Sequence, residues 1–351
     1  MIGQPLSVGP LRLDTNVLLA PVANYCDLAF RIVARSFGGI AYACTDLLSP
    51  HGVLKGNEQS MDLARTDPRD QPLCMQLYGY DAKLLSDAGA WAVDHGASVV
   101  DINMGCPVDK VAKKNGGSLL LRDPCSTVAL AETVRRAVER ASGGRVPLTA
   151  KVRLGWDDDT IVAPGLARDL EGAGVAMITV HGRTTEQKFR GDVRRDGIAE
   201  VVAAVDSIPV LGNGDIKTPD DALSMMRETG CAGVMIGRGA FSRPWLMRDV
   251  WDAQLGRAQD EPSEGDKLDM ITRYFELMRE FRGDRYALAH IRRRISWFSK
   301  TMGPSKPLKT RFNDASCVED IYSALREFRD GGLRWFPGAE PRSARDALAS
   351  V

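Results

Sequence analysis

Short apolar or β-branched runs recur along the chain about once per strand-and-helix unit, at 17–20, 40–45, 73–77, 99–103, 148–152, 177–180, 209–212 and 233–236. Between them lie stretches whose apolar positions follow a helical period, as in 82–95, 126–141 (Val128, Leu130, Ala131, Val134, Val138) and 220–229. Eight strands alternating with helices predict a closed (β/α)8 TIM barrel, with an open doubly wound sheet as the alternative. Most runs are apolar at the start and polar at the end: Gln76, Asn103, Lys151-Val152-Arg153, His181-Gly182-Arg183, Gly212-Asn213-Gly214-Asp215 and Gly237-Arg238-Gly239. In a barrel these ends ring one mouth, so residues scattered through the sequence converge there.

Beyond about 262 the pattern turns helical (267–281, 285–301, 318–330), with Gly/Pro-bearing turns such as 303–307. The expected organisation is a catalytic barrel over 1–255, a small helical domain over 262–335 and a flexible tail over 336–351.

Composition narrows this little. Of 351 residues, 44% are hydrophobic and 26% charged, which excludes a disordered chain. No apolar run approaches the ~20 residues of a membrane helix, and the start lacks a secretory pattern, so a cytoplasmic protein is expected. Lys+Arg and Asp+Glu are both 46, which excludes an all-over polyanion trap but not a local basic face. Seven dispersed cysteines without a Cys-x-x-Cys pair argue against a disulfide framework, and no ligand cluster points to a metal.

The loops after the seventh and eighth runs carry the first chemical signal. Gly212 and Gly214 flank Asn213 in one, and Gly237 and Gly239 flank Arg238 in the other. Barrels commonly hold phosphate at these two positions, and Arg238 adds charge. Either segment alone is equally a tight turn; together they favour a mononucleotide such as FMN, since neither matches a dinucleotide or P-loop fingerprint. Lys151 inside a strand needs an anion, such as the N1–C2=O edge of a flavin, or else snorkels from a strand end. Gln76 and Asn213 suit the polar edge of such a ring, and His181 suits a ligand-orienting role or a structural one.

Cys106 is the sharpest candidate. Gly105 and Pro107 favour a turn that presents its thiol at the mouth, whereas Cys44, Cys74 and Cys231 read as small core hydrophobes. A thiol of ordinary pKa can donate a proton, and one lowered by a base can act as a nucleophile; the sequence leaves both open. Basic residues gather at Lys110, Lys113 and Lys114, and again at Arg292, Arg293, Arg294, Lys300, Lys306, Lys309 and Arg311 around Trp297 and Phe298. That second set is either an RNA-binding face or a solvated helix face over core aromatics.

Taken in order, Ala20-Pro21-Val22-Ala23, Gln76-Leu77-Tyr78-Gly79, Asn103-Met104-Gly105-Cys106-Pro107, Asn115-Gly116-Gly117-Ser118-Leu119-Leu120, Lys151-Val152-Arg153, His181-Gly182-Arg183-Thr184, Gly212-Asn213-Gly214-Asp215-Ile216 and Gly237-Arg238 resemble the tRNA-dihydrouridine synthases, most closely the bacterial B-type branch, over about 11–330. The resemblance implies an FMN barrel with a helical tRNA-binding domain that reduces a specific tRNA uridine with NADPH or NADH. It implies that Pro21, Val22, Ala23, Gln76, Lys151, Asn213, Gly214, Asp215, Gly237 and Arg238 hold FMN, with His181 beside it. It further implies that Cys106 protonates uracil C5 after hydride reaches C6. Asn103 would lie near the uracil, and Lys110, Lys114, Arg183, Arg292, Arg293 and Lys300 would contact tRNA, whose target base must leave its stack. No membrane, metal or obligate protein partner is implied. The chain departs from the family at Asn24 (usually Gly), at Phe189 and Arg195 (usually Tyr and Trp) and at Arg294 (usually His), which bears on flavin-edge contacts and the choice of tRNA site. Other readings are an FMN barrel reductase of a small pyrimidine or enone, and a non-catalytic RNA-binding barrel.

Overall fold

The structure, a computed structural model, describes residues 2–107 and 116–334. The chain divides into two compact units, one reaching Ala240 and resuming over Pro244–Gln259, the other holding Phe241–Arg243 and the helices after Asp260.

The first unit opens with a hairpin, β1 (Leu6–Val8) and β2 (Leu11–Leu13), turned at Gly9 with φ +56°. Eight parallel strands follow: β3 (Val17–Leu19), β4 (Ala43–Cys44), β5 (Leu73–Leu77), β6 (Val99–Met104), β7 (Leu148–Arg153), β8 (Ile178–His181), β9 (Val210–Asn213) and β10 (Gly233–Ile236). Each pairs with the next, and β10 pairs with β3, closing the (β/α)8 barrel. The open-sheet alternative is thereby excluded. The run at 40–45 contributes only the two-residue β4, though backbone bonds from Ala41 to Val17 and from Thr45 to Cys74 extend its pairing.

The helices between strands form where the caps allow. Asp81 accepts from the backbone N–H of Leu84 to start Ala82–Asp94, and Asp123 with Pro124 starts Pro124–Ser142, which ends at Gly143 in the left-handed region. Thr218 and Asp221 form a reciprocal capping box for Pro219–Thr229.

Inside the barrel the strands divide into a dry floor and a polar top. Leu18, Cys44, Cys74, Val99, Met177, Leu211 and Met235 form one buried cluster with Leu6, Val8 and Leu13 of the hairpin, which therefore plugs the N-terminal end of the barrel. One step toward the C-terminal ends come Gln76, Asp101, Asn103, Thr149, Lys151, His181 and Asn213. Period-2 alternation keeps these on the inner face above the floor residues.

The second unit packs helices Glu264–Arg282, Asp284–Phe298, Lys306–Asp314 and Val318–Arg329 around buried Ile271, Phe275, Ile295, Phe298, Phe312, Ile321 and Phe328. The helix at Lys306–Asp314 falls where the sequence reads as a turn, because Pro307 occupies its first turn, a position that needs no N–H partner. Among the described residues no helix is long and apolar enough to cross a membrane, and no group of three or more His, Cys, Asp or Glu is placed to hold a metal.

Candidate active site

The register of the central strands assembles the site. Asn103 lies opposite Lys151 on β6 and β7, Arg153 opposite His181 on β7 and β8, and His181 opposite Asn213 on β8 and β9. Lys151 Nζ donates to Asn213 Oδ1 at 2.8 Å, and Asn213 Nδ2 donates to the Met235 carbonyl at 2.7 Å, so the lysine is steered across the mouth. Burial, then Arg153, pulls the Lys151 ammonium down to about 8, while Asp101 opposes that shift. A cation so desolvated is a natural seat for an anionic edge.

Cys106 begins the loop after β6 and is half-buried. Asn103 Oδ1 accepts from the backbone N–H of both Cys106 (2.9 Å) and Gly105 (3.2 Å). On the other side Arg153, fully buried, donates from Nε to the Gly105 carbonyl at 2.8 Å and from a terminal nitrogen to the carbonyls of Thr184 and Lys188. A Cβ on Gly105 would stand 3.2 Å from the backbone of Val152, so glycine lets the loop lie against β7. The backbone of the turn that carries Cys106 is therefore held from two sides. Cys26, Cys44, Cys74 and Cys231 are buried, and Cys125 and Cys317 are exposed.

Pro21, Val22 and Ala23 form a tight turn after β3, in which the N–H groups of Tyr25 and Cys26 bond the Val22 carbonyl. Asn24 sits at φ +64°, a conformation asparagine tolerates better than most residues, and its N–H donates to Asp46 at 2.6 Å. The missing glycine thus leaves the turn geometry intact. A Cβ on Gly237 would come within 3.4 Å of Val22, which brings this turn against the loop after β10. In the loop after β9, Gly214 has φ +119°, and a Cβ there would stand 2.9 Å from the His181 ring. Asp215, also left-handed, pairs with Arg183 and with half-exposed Arg238 (3.3 Å).

His181 is buried, and its pKa lies well below the ordinary 6.5, chiefly through burial and then through Lys151, Arg153, Arg183 and Arg238. Phe189, exposed on the loop after β8, stands 6.4 Å from the His181 ring, with Arg153 and Arg238 over its face.

Several expectations change. Arg183 is 2% exposed, with its guanidinium spent on the carbonyls of Arg190 and Gly191 and on Asp215; it braces the loops and is not presented to an RNA. Asn103 directs its amide to Gln76 and to the backbone N–H groups of Gly105 and Cys106. Arg195 bonds Ser224 and Glu228, joining two outer helices. Arg294 is buried and donates to the Tyr274 hydroxyl at 3.0 Å, a core contact of the helical unit. Arg293 and Lys300 are exposed, Lys300 lying 3.5 Å over the Trp297 ring, whereas exposed Arg292 donates to the Ala315 carbonyl. Lys110, Lys113, Lys114 and the tail from 335 lie outside the described residues. Asp101 and Asp46, both buried, are site groups the sequence reading passed over; a carboxylate within the apolar run Val99-Val100-Asp101-Ile102 was the available signal for the first.

A family model described as dihydrouridine synthase matches residues 18–329. A "Probable tRNA-dihydrouridine synthase 1" of Synechocystis sp. is 35% identical over 320 residues, covering 90% of this chain and 87% of that protein. A "tRNA-dihydrouridine synthase B" of Xanthomonas campestris is 32% identical over 334 residues, covering 95% and 98%. Among solved structures, a histamine dehydrogenase from Rhizobium sp. 4-9 superposes with a TM-score of 0.55 at 14% identity. The match covers 79% of this chain and 51% of that one, and is a likeness of fold alone.

Proposed function

The chain belongs to the dihydrouridine synthase family and is a tRNA-dihydrouridine synthase, an oxidoreductase; from that premise we propose that it uses FMN held at the barrel mouth and that Cys106 is its general acid. The residues present fit FMN. Lys151, bonded to Asn213, would offer a desolvated cation to the N1–C2=O edge, with the Gln76 amide assigned to the same edge. Val22 approaches Gly237, whose bare Cα would leave room beside the turn of Pro21, Val22 and Ala23, while Gly214, Asp215 and Arg238 would take the phosphate end with His181 beside them.

FMN, if held by Lys151, Asn213 and Arg238, would supply the hydride-transfer chemistry, with NADPH or NADH as reductant and uracil C6 as acceptor. The protein's own residues do the rest. The conjugated carbonyl makes C6 the electrophilic carbon and C5 the site that then needs a proton. Cys106, with its loop pinned by Asn103 and Arg153, donates its sulfhydryl proton to C5 and is restored from solvent. Neutral His181 and the guanidinium of Arg183 keep the rim from adding a competing acid. The helical unit over 262–335, with exposed Arg293 and Lys300, grips tRNA together with Arg292, Lys110 and Lys114, in the cytoplasm. The barrel over 1–255 carries the chemistry.

The observation that carries this reading is the two-sided clamp on the turn that carries Cys106, with the Cys106 backbone N–H bonded to Asn103 and the Gly105 carbonyl to Arg153, beside the strand that bears Lys151. The test is Cys106→Ala in flavin-loaded enzyme on unmodified tRNA. The expected result is retained flavin and retained flavin reduction, with dihydrouridine formation lowered by about 10²–10⁴. Undiminished product would remove Cys106 from the reaction.

A further inference from the structure

We propose that Asp101 is a positioning residue for the Cys106 thiol, acting through the carboxamides of Gln76 and Asn103. This rests on the reading of Cys106 as proton donor.

The contacts form a directed chain. Asp101 Oδ2 accepts from Gln76 Nε2 at 2.6 Å, and Gln76 Oε1 accepts from Asn103 Nδ2 at 2.7 Å. Asn103 Oδ1 then accepts from the backbone N–H of Cys106 at 2.9 Å. Gln76 is 0% exposed, Asp101 2% and Asn103 6%, so water does not stand in for a missing partner.

A carboxamide turned over by a half rotation keeps its shape while exchanging donor for acceptor. Nothing in Gln76 or Asn103 alone decides which way each faces. The two loop N–H groups call for the Asn103 carbonyl at one end of the chain, and Asp101 fixes it from the other. A carboxylate only accepts, and its other oxygen is taken by the Thr149 hydroxyl at 2.5 Å. The Gln76 NH2 must therefore face Asp101, its carbonyl must face Asn103, and the Asn103 carbonyl must face the loop. Turned over, Asn103 would set its own N–H groups against those of Gly105 and Cys106. Two half-buried donors would lose their acceptor, and the turn that carries Cys106 would loosen. Burial raises Asp101 to about 6, with Thr149, Gln76 and Lys151 opposing, so at neutral pH the carboxylate form is present to act.

The test compares Asp101→Asn and Asp101→Leu in the full-length flavin-loaded protein. Asparagine can turn its carbonyl to Gln76 and its NH2 to the Thr149 oxygen, so it is expected to keep kcat and Cys106 reactivity within about threefold. Leucine leaves Gln76 Nε2 without an acceptor. Its kcat on tRNA is expected to fall about tenfold or more with little change in KM, well beyond any change in the rate at which NADPH reduces the flavin. Alkylation of Cys106 by iodoacetamide, followed by mass spectrometry of its peptide without tRNA, is expected to speed up about threefold or more as the loop loosens. Asp101→Ala repeats the measurement without a branched side chain to accommodate.

Wild-type kcat and wild-type alkylation in the leucine and alanine variants would overturn the proposal. So would loss of flavin from both, which would assign Asp101 to flavin binding or folding. The two readings separate cleanly: undiminished turnover by Cys106→Ala sinks the acid assignment, whereas the alkylation rate reports positioning whatever the thiol does.

Discussion

A terminal nitrogen of Arg183 lies 3.3 Å from Nε2 of His181, and because a guanidinium only donates, the imidazole accepts there and carries its proton on Nδ1. Burial and the surrounding cations depress the His181 pKa well below 6.5. Imidazole ¹⁵N shifts are therefore expected to stay those of the neutral Nδ1–H tautomer from about pH 8 down to about pH 6. The unfolded chain binds a proton at His181 below about 6.5 and the folded one does not, so this residue makes stability fall as pH drops through that value. An imidazolium signal at pH 6 would refute the assignment.

Lys151 makes a statement about ligand binding. With its ammonium lowered to about 8, a fraction of the lysine is deprotonated at about pH 8.5. An anionic flavin edge beside it raises that pKa, so FMN binding at this pH is expected to take up part of a proton, and at about pH 6.5 none from this group. Calorimetric titration of flavin-stripped protein in two buffers of different ionisation enthalpy measures the uptake. Lys151→Met is expected to abolish it and to weaken FMN binding by about tenfold or more. Equal uptake in wild type and variant would place the anion elsewhere.

Much of this architecture was legible in the sequence because two periods do not mix. Runs such as 73–77 and 233–236 coincide with β5 and β10, and the polar residues at or just past the strand ends, such as Gln76 and Arg238, mark the mouth side. The hairpin of β1 and β2 was not legible: its apolar positions are few, and only the barrel floor gives Leu6, Val8 and Leu13 something to bury against. The helix at Lys306–Asp314 was hidden by Pro307, whose ring suits a first helical turn as well as a loop. At the site, residue identities were readable but their partners were not. Nothing local says that Arg183 turns inward to Asp215, or that Arg153 reaches the Gly105 carbonyl, since both bonds join separate strand-end loops.

Asp101 carries a stability signature opposite in sign to that of His181. Its folded pKa of about 6 lies above the ordinary 3.8, so between these values the folded state holds a proton that the unfolded state has lost. Stability from this group is thus greatest at low pH, declines as pH rises from about 4 to about 6, and is flat above that, a loss of about 3 kcal/mol at most. Cys74 on adjacent β5 and Tyr42, just before β4, both feel the carboxylate and stay neutral in this window, their own pKa values raised by burial, while Lys151 stays charged. Because His181 pulls the other way over an overlapping range, the informative quantity is the difference between wild type and Asp101→Asn. Denaturant midpoints are expected to favour the variant at pH 7 and to converge near pH 4. A gap independent of pH would mean that Asp101 is not buried as a carboxylate.

On the helical unit, Arg293 and Lys300 separate the RNA face from the fold. Arg292 donates to the Ala315 carbonyl at 2.6 Å and tethers one helix to the end of the next, so reversing its charge disturbs the unit itself. Exposed Arg293 bonds the ring of His290 one turn back on its own helix, and Lys300 rests on Trp297, so neither ties the helices together. Removing one cation from a phosphate takes about 0.7 to 0.9 off the slope of log affinity against log salt. Arg293→Glu with Lys300→Glu is therefore expected to weaken tRNA binding at low salt and to flatten that slope by about 1 to 2. Flavin reduction by NADPH should stay unchanged, because that step needs no RNA. An unaltered slope would mark these cations as a solvated helix face and move the tRNA contacts to another surface.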